Sequence, residues 1–316
     1  MVASAPMNAE PRFRPLRPWL LATFGRPVHR VALDAGSSCP NRDGTKGRGG
    51  CAYCDVEGSG TGALRAGIEL SAQLAAGIAR VRRRDRDCGV IAYFQSYSNT
   101  YVAPERLDEV LAVVEPHLGD SVVCVAVATR PDTLGDDALA RLARLARRVP
   151  VWVELGLEAA DDGILAAINR LHTVADFRAA VARCHGAGLA TVGHAILGLP
   201  GDGREGARRT AEVLAAAGCR GVKVHQLMVL RRTLLAAWWR EGRVESLDPE
   251  TYVAWLADFV ERLRPDQVLH RLAGDAPSAN LLAPRWSAGK NAIRRELEAE
   301  LARRGTRQGE RAGGEG

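Results

Sequence analysis

Residues 37–55 read SSCPNRDGTKGRGGCAYCD, and three of the chain's seven cysteines fall inside them. Cys39 stands alone, eleven residues follow, and Cys51 and Cys54 form a CxxC pair. Pro40, Gly44, Gly47, Gly49 and Gly50 intervene, together with Asn41 and Asp43. Glycine is costly in a helix or a strand and proline ends both, so the stretch predicts an ordered loop whose backbone folds around something. Three thiols with no obvious fourth ligand is the feature to be explained.

Working outward, a chain of 316 residues can bury a sizeable core, either as one large barrel-like α/β domain or as two smaller domains. Hydrophobic residues at 47% and charged residues at 25% are ordinary globular proportions and exclude a disordered chain. No apolar run approaches the roughly eighteen residues of a membrane-spanning helix. The start, MVASAPMNAEPRFRPLRPWL, lacks the apolar region of a signal peptide, so a cytoplasmic protein is expected. Net charge is +6 and the isoelectric point about 9.1, carried almost wholly by arginine; Lys46, Lys223 and Lys290 are the only lysines. That charge has two readings, an arginine-rich coding bias or a polyanionic partner such as RNA. An odd cysteine count in a reducing compartment argues against a disulfide framework. Cys88, Cys124, Cys184 and Cys219 lie singly in apolar or helical stretches, where a cysteine is a small buried hydrophobe.

The rest of the chain alternates strand with helix. HRVALDA (29–35), GVIAYFQ (89–95), SVVCVAVAT (121–129), VWVELGLE (151–158), ATVGHAILGLP (190–200) and GVKVHQLMV (221–229) are short apolar runs rich in β-branched residues. Such runs fit parallel strands buried on both faces. Helical patterns cover 104–116, 136–148, 176–188 and 203–218. Regular succession implies a parallel sheet, and six strands are too few for an eight-stranded barrel. A curved six-stranded partial barrel, or a doubly wound sheet, is expected. Further on, 248–263 is an amphipathic helix, 267–277 offers one more strand, and 287–304 is a basic helix carrying Lys290, Arg294, Arg295, Arg303 and Arg304. The expected organisation is an N-terminal arm (1–18), a core (19–245), a C-terminal helix-and-strand extension (246–304) and a disordered tail (305–316).

The cysteine count discriminates between metals. A structural zinc site needs four ligands, and here a zinc knuckle would need a distant residue to complete it. A cubane iron–sulfur cluster has four irons, each wanting a thiolate, so three cysteines leave one iron open. An open iron is of no use for simple electron transfer but can bind and activate a ligand, which is the arrangement of radical S-adenosylmethionine (SAM) enzymes. The loop also follows the first predicted strand, at the mouth where parallel barrels hold their chemistry.

With LDAGSSCPNRDGTKGRGGCAYCD, FQSYSNTYVAP, ATRPD, WVELGLE, INRLH, HAILGLPGD, GVKVHQLMVL and RLAGDAP, the chain resembles the YhcC/YtqA-like family of radical SAM proteins, related to the Elongator-type branch, from about residue 14 to 300. The resemblance implies a radical SAM partial (β/α)6 barrel with a C-terminal helical and strand extension. It implies that Cys39, Cys51 and Cys54 hold a [4Fe-4S] cluster, with Tyr53 as the aromatic before the last ligand. A reduced cluster would cleave SAM to methionine and a 5'-deoxyadenosyl radical. Gln95, Ser98 and Asn99 match positions that hold the amino end of SAM, and Glu154 a polar interior position near its ribose. Gly198, Pro200 and Gly201 match a strand exit that flanks adenine. Three departures stand out: Glu158 where Gln is usual, Leu171 where Gly is usual, and Thr133 where Cys is expected. His194, Lys223 and His225 lie in predicted strands; facing inward, they are candidates for binding a carboxylate or moving a proton. The implied substrate is tRNA, with trimming of a carboxymethylaminomethyl group on the wobble uridine to aminomethyl, and the implied reductant is a flavodoxin or ferredoxin. A radical SAM enzyme acting on a small metabolite or peptide is the alternative. An RNA-binding protein with a structural metal knuckle is a further one, which the open coordination count opposes.

Overall fold

The computed structural model describes residues 10–55, 62–64, 66–288 and 290–313. Strands β1 (Val28–Leu33), β2 (Gly89–Phe94), β3 (Val122–Thr129), β4 (Val151–Glu158), β5 (Ala190–Leu197) and β6 (Gly221–Gln226) lie side by side in chain order, all parallel. β7 (Val229–Leu230) leaves this sheet to pair antiparallel with β9 (Leu281–Ala283), and β8 (Val268–Arg271) returns to pair with β6. A doubly wound sheet reverses its strand order at a switch point; this one does not. β1 and β8 form its two edges, so it is a half-barrel curled from seven strands. The seventh strand comes from the segment expected to be an extension.

The α-helices among the described residues are α1 (Leu16–Phe24), α2 (Leu70–Arg82), α3 (Pro104–Ala112), α4 (Asp136–Ala146), α5 (Asp162–Ala167), α6 (Val174–Gly186), α7 (Gly203–Ala216), α8 (Leu234–Arg240), α9 (Pro249–Arg262) and α10 (Lys290–Arg304). Side chains alternate along each strand, so successive residues serve two cores. In β2, Val90, Ala92 and Phe94 pack under the helices. Ile91 and Tyr93 face the concave side with Cys124, Ala126, Trp152 and Val192. α1 closes the floor of that side, with Leu20 buried there and Trp19 against Trp152 at 5.9 Å between ring centroids. Cys88, Cys124, Cys184 and Cys219 are fully buried, as their isolated placement predicts.

The C-terminus departs from expectation. Residues 305–316 are expected to be a disordered tail; as far as Ala312 the described part is docked instead. The Gln308 amide donates to the carbonyls of Arg264 and Gln267, both at 2.7 Å, and accepts from the Arg14 backbone at 2.8 Å. Arg12 donates to the Thr306 carbonyl at 3.0 Å. A polar composition does not exclude docking where every buried amide finds a partner. The basic helix is likewise partly engaged, although Arg294 and Arg295 stay exposed. Arg304 donates to Asp258 at 2.7 Å and Glu261 at 3.2 Å, and Arg303 to Glu300 at 2.7 Å. Burial would raise the Asp258 carboxyl, but hydrogen bonds from Arg204, Arg304 and Arg208 hold it well below the usual carboxylate range. The side chain of Lys290 lies outside the described part.

Candidate active site

The loop of residues 37–55 is held from within and from outside. Arg42 and Asp43 donate backbone N–H groups to the Cys39 carbonyl, and Cys54 donates to Cys51 at 3.0 Å. Gly49 and Gly50 both adopt positive φ, +81° and +82°, which turns the chain sharply just before Cys51. The INRLH segment clamps the loop: Asn169 donates to the Gly50 carbonyl at 2.7 Å, Asn41 to the Asn169 carbonyl at 2.6 Å, and the Ala52 backbone to Ile168 at 2.9 Å.

A cavity of about 360 Å³ opens at the C-terminal ends of the strands, and Cys39, Cys51 and Cys54 all line it. The donors around them suit thiolates. Arg170 and Asn41 point N–H groups at the Cys51 sulfur, at 3.7 and 3.6 Å. Arg42 donates to the Cys54 carbonyl at 3.1 Å, beside the Cys54 and Cys39 sulfurs. Burial, with Cys51 alongside, pushes the free Cys54 thiol up to about 11, whereas a bound metal ion deprotonates a coordinating thiol outright. Among the described residues no three His, Cys, Asp or Glu side chains converge as the ligands of one ion would. Thiolates that each hold a separate iron of a cubane stand apart, and N–H donors aimed at sulfur are what such a cluster takes from its surroundings. The donor set fits a [4Fe-4S] cluster held by Cys39, Cys51 and Cys54.

The floor of the cavity is an ion network. Glu154 is fully buried; its Oε2 pairs with the Lys223 ammonium and accepts from His194 Nε2 at 3.0 Å, while Oε1 lies 3.8 Å from Arg30. Burial alone would raise the Glu154 carboxyl, but Lys223, His194 and Arg30 together hold it well below the usual range. Lys223 also lies over the Tyr93 ring, 4.1 Å from its centroid. Burial lowers His194, and burial brings His225 down to about 4, so both rings are neutral at pH 7. Among the described residues Glu154 Oε1 meets no hydrogen-bond donor and Tyr53 Oη no partner; these buried atoms can meet polar groups of a bound cofactor.

Gln95, Glu154, Glu158, His194 and His225 line the cavity, and Lys223 is buried directly below. Ser98 and Asn99 do not line it. The Asn99 amide is spent on the carbonyls of Phe94, Ser96 and Ala128, and Ser98 on Thr129 and Thr133. Those hydrogen bonds tie the wall together. Gly198 and Pro200 border a separate depression with Arg243 and Trp255. The departures are absorbed locally. Glu158 pairs with Arg170 at 3.2 Å. Leu171 adopts φ +56°, the conformation that favours glycine, and packs where a Cβ on Gly47 would stand. Thr133 joins the hydroxyl chain of Ser98 and Thr129. Asn41, Arg42, Arg170, Arg30 and Arg271 carry no signal of a role in the sequence: the first three and Arg271 lie within the family-like motifs, but linear order assigns them no partners.

Comparison with known proteins agrees with this site. The Radical SAM superfamily domain matches residues 42–214 and the Radical_SAM C-terminal domain residues 219–303. YtqA of Bacillus subtilis is 36% identical over 306 residues, covering 96% of this chain and 93% of its own. A tRNA uridine(34) acetyltransferase of Dehalococcoides mccartyi is 28% identical over 180 residues, 56% of this chain and 39% of that one. Among solved structures, Elp3 of Methanocaldococcus infernus shares the fold with a TM-score of 0.69 at 17% identity, over 89% of this chain; the chain spans 64% of that structure's length. No described helix is long and apolar enough to cross a membrane. The three thiolates at the mouth of a parallel half-barrel, the matching domains and the near-full-length relative lead to one conclusion: the chain belongs to the YhcC/YtqA-like family of radical SAM enzymes, whose cofactors are a [4Fe-4S] cluster and SAM.

Proposed function

We propose that the enzyme modifies tRNA, trimming a carboxymethylaminomethyl group on uridine 34 to aminomethyl. The similarity to a tRNA uridine(34) acetyltransferase carries this reading, and the net charge of +6 supports it. When bound, the cluster and SAM supply the one-electron chemistry that breaks an unactivated C–H bond. The chain's own residues do the rest. Cys39, Cys51 and Cys54 hold the iron, and Arg42, Arg170 and Asn41 stabilise the sulfurs. Tyr93, Ile196 and Leu227 wall the cavity and keep water from the reacting carbon, while fixed polar groups hold the substrate in contact. Glu154, shared by Lys223 and Arg30, ties the floor together. A cytoplasmic flavodoxin or ferredoxin is the proposed reductant.

The test is mass spectrometry of tRNA nucleosides from cells with and without the gene. Loss of the protein should accumulate carboxymethylaminomethyl nucleosides at the expense of aminomethyl ones, and the cluster-loaded enzyme, supplied with SAM and a reductant, should convert the former to the latter on isolated tRNA. Unchanged nucleosides, with a small metabolite or peptide converted instead, would replace the tRNA reading.

A further inference from the structure

Four guanidinium groups line the cavity, and three are committed. Arg130 holds Asp132 at 2.9 Å, Arg170 holds Glu158 at 3.2 Å, and Arg42 donates to the Cys54 carbonyl at 3.1 Å. Below them, Arg30 and Lys223 share Glu154. Arg271, at the end of β8, forms no ion pair among the described residues; Asp275 also lines the cavity, and no ion pair joins the two. A guanidinium kept in a partly buried wall without an anion is a site for one.

Its neighbour is complementary. Lys223 is in register with Arg271 across β6 and β8, and His225 lies two residues further along β6 on the same face. His225 Nδ1 lies 2.9 Å from the Gln226 carbonyl. A carbonyl only accepts, so Nδ1 carries the proton of the neutral ring and Nε2 keeps a lone pair. One cavity wall therefore holds a planar fork of donors beside a lone acceptor.

We propose that Arg271 and His225 form a recognition site for an amine one carbon from a carboxylate, Arg271 taking the carboxylate and His225 Nε2 accepting from the amine N–H. The inference rests on the tRNA reading only for where this head group comes from, the end of the carboxymethylaminomethyl side chain. Removing the head removes the handle, so the site retains the substrate and releases the aminomethyl product.

The test uses the cluster-loaded full chain and two anticodon stem-loop RNAs, one with the free acid at uridine 34 and one with its methyl ester. A charge-assisted fork of hydrogen bonds should make the wild type prefer the acid about tenfold to a hundredfold. Arg271→Met should reduce the preference to below about threefold, and Arg271→Lys, which keeps charge but not the fork, should fall between. His225→Phe should weaken acid and ester alike, since both keep the amine. A preference that survives Arg271→Met overturns the proposal. So does a matching loss of SAM affinity in that variant, which would mean Arg271 holds the cofactor's own amino-acid head. If the wild type binds neither RNA, the tRNA reading fails. Calorimetry with N-methylglycine then decides the site: binding by the wild type but not by Arg271→Met supports it, and no binding by the wild type overturns it.

Discussion

Glu154→Gln tests the floor of the active site as a charge ledger. The fully buried carboxylate is shared by Lys223, His194 and Arg30, so its replacement leaves buried cations facing a neutral amide. Removing one partner of a buried ion pair costs about 3–5 kcal/mol. Lys223 can limit that cost by shedding its proton, since burial already lowers its pKa. Lys223→Met should cost less, because Glu154 keeps its hydrogen bond from His194 and its charge partner Arg30. The double variant Glu154→Leu with Lys223→Met removes both charges and should lie within about 2 kcal/mol of the wild type. Urea unfolding followed by circular dichroism at pH 7.5 reads the order. With a slope of about 3 kcal/mol per molar, Glu154→Gln should lower the midpoint by about 1–1.7 M. The folded carboxyl titrates below its unfolded value, so its contribution is complete at this pH and lost only as pH falls below about 4. A Glu154→Gln midpoint within about 0.3 M of the wild type would refute the network. A double variant worse than either single change would refute it too.

Alanine at Cys39, Cys51 or Cys54 should abolish iron binding after anaerobic reconstitution, whereas alanine at Cys88, Cys124, Cys184 or Cys219 should leave iron content unchanged; iron and sulfide analysis decides. Leu171→Gly relieves a left-handed leucine and should stabilise the chain by about 1 kcal/mol, less what its contact at Gly47 contributes, as urea midpoints would show. His225 titrates near 4 when folded and about 6.5 when unfolded, so the unfolded chain binds the extra proton between those values. Stability should therefore fall with decreasing pH across that window, by about 1.4 kcal/mol per pH unit from this group, and His225→Gln should remove that share of the slope. Arg231 and Arg232 are exposed and directly follow Leu230 of the cavity wall. Replacing both with Gln should lower the salt dependence of tRNA binding by about 1.5 in log–log slope, whereas changing Arg303 and Arg304 should cost stability instead.

The three-thiol loop was legible because it is local: a CxxC pair and one outlier within nineteen residues need no knowledge of what lies across the barrel. The parallel sheet was legible for a similar reason, since strands such as VWVELGLE, buried on both faces, carry a continuous apolar signature. Whether a polar residue faces a ligand is a different kind of fact. Ser98 and Asn99 looked like cofactor contacts as a polar string, yet their groups close on backbone and hydroxyls up to 35 residues away. Arg304 looked like part of an RNA-binding patch until Asp258 and Glu261, 46 and 43 residues earlier, were brought against it. The seventh strand, Val268–Arg271, is only four residues long and acquires its place by pairing with β6. Composition records which charges a chain carries; only folding decides which of them neutralise one another, because the Coulomb energy of a pair depends on separation and burial that no linear order contains. Arg271, one arginine among many in the sequence, is distinguished by standing in the cavity wall with neither an ion pair nor a side-chain hydrogen bond among the described residues.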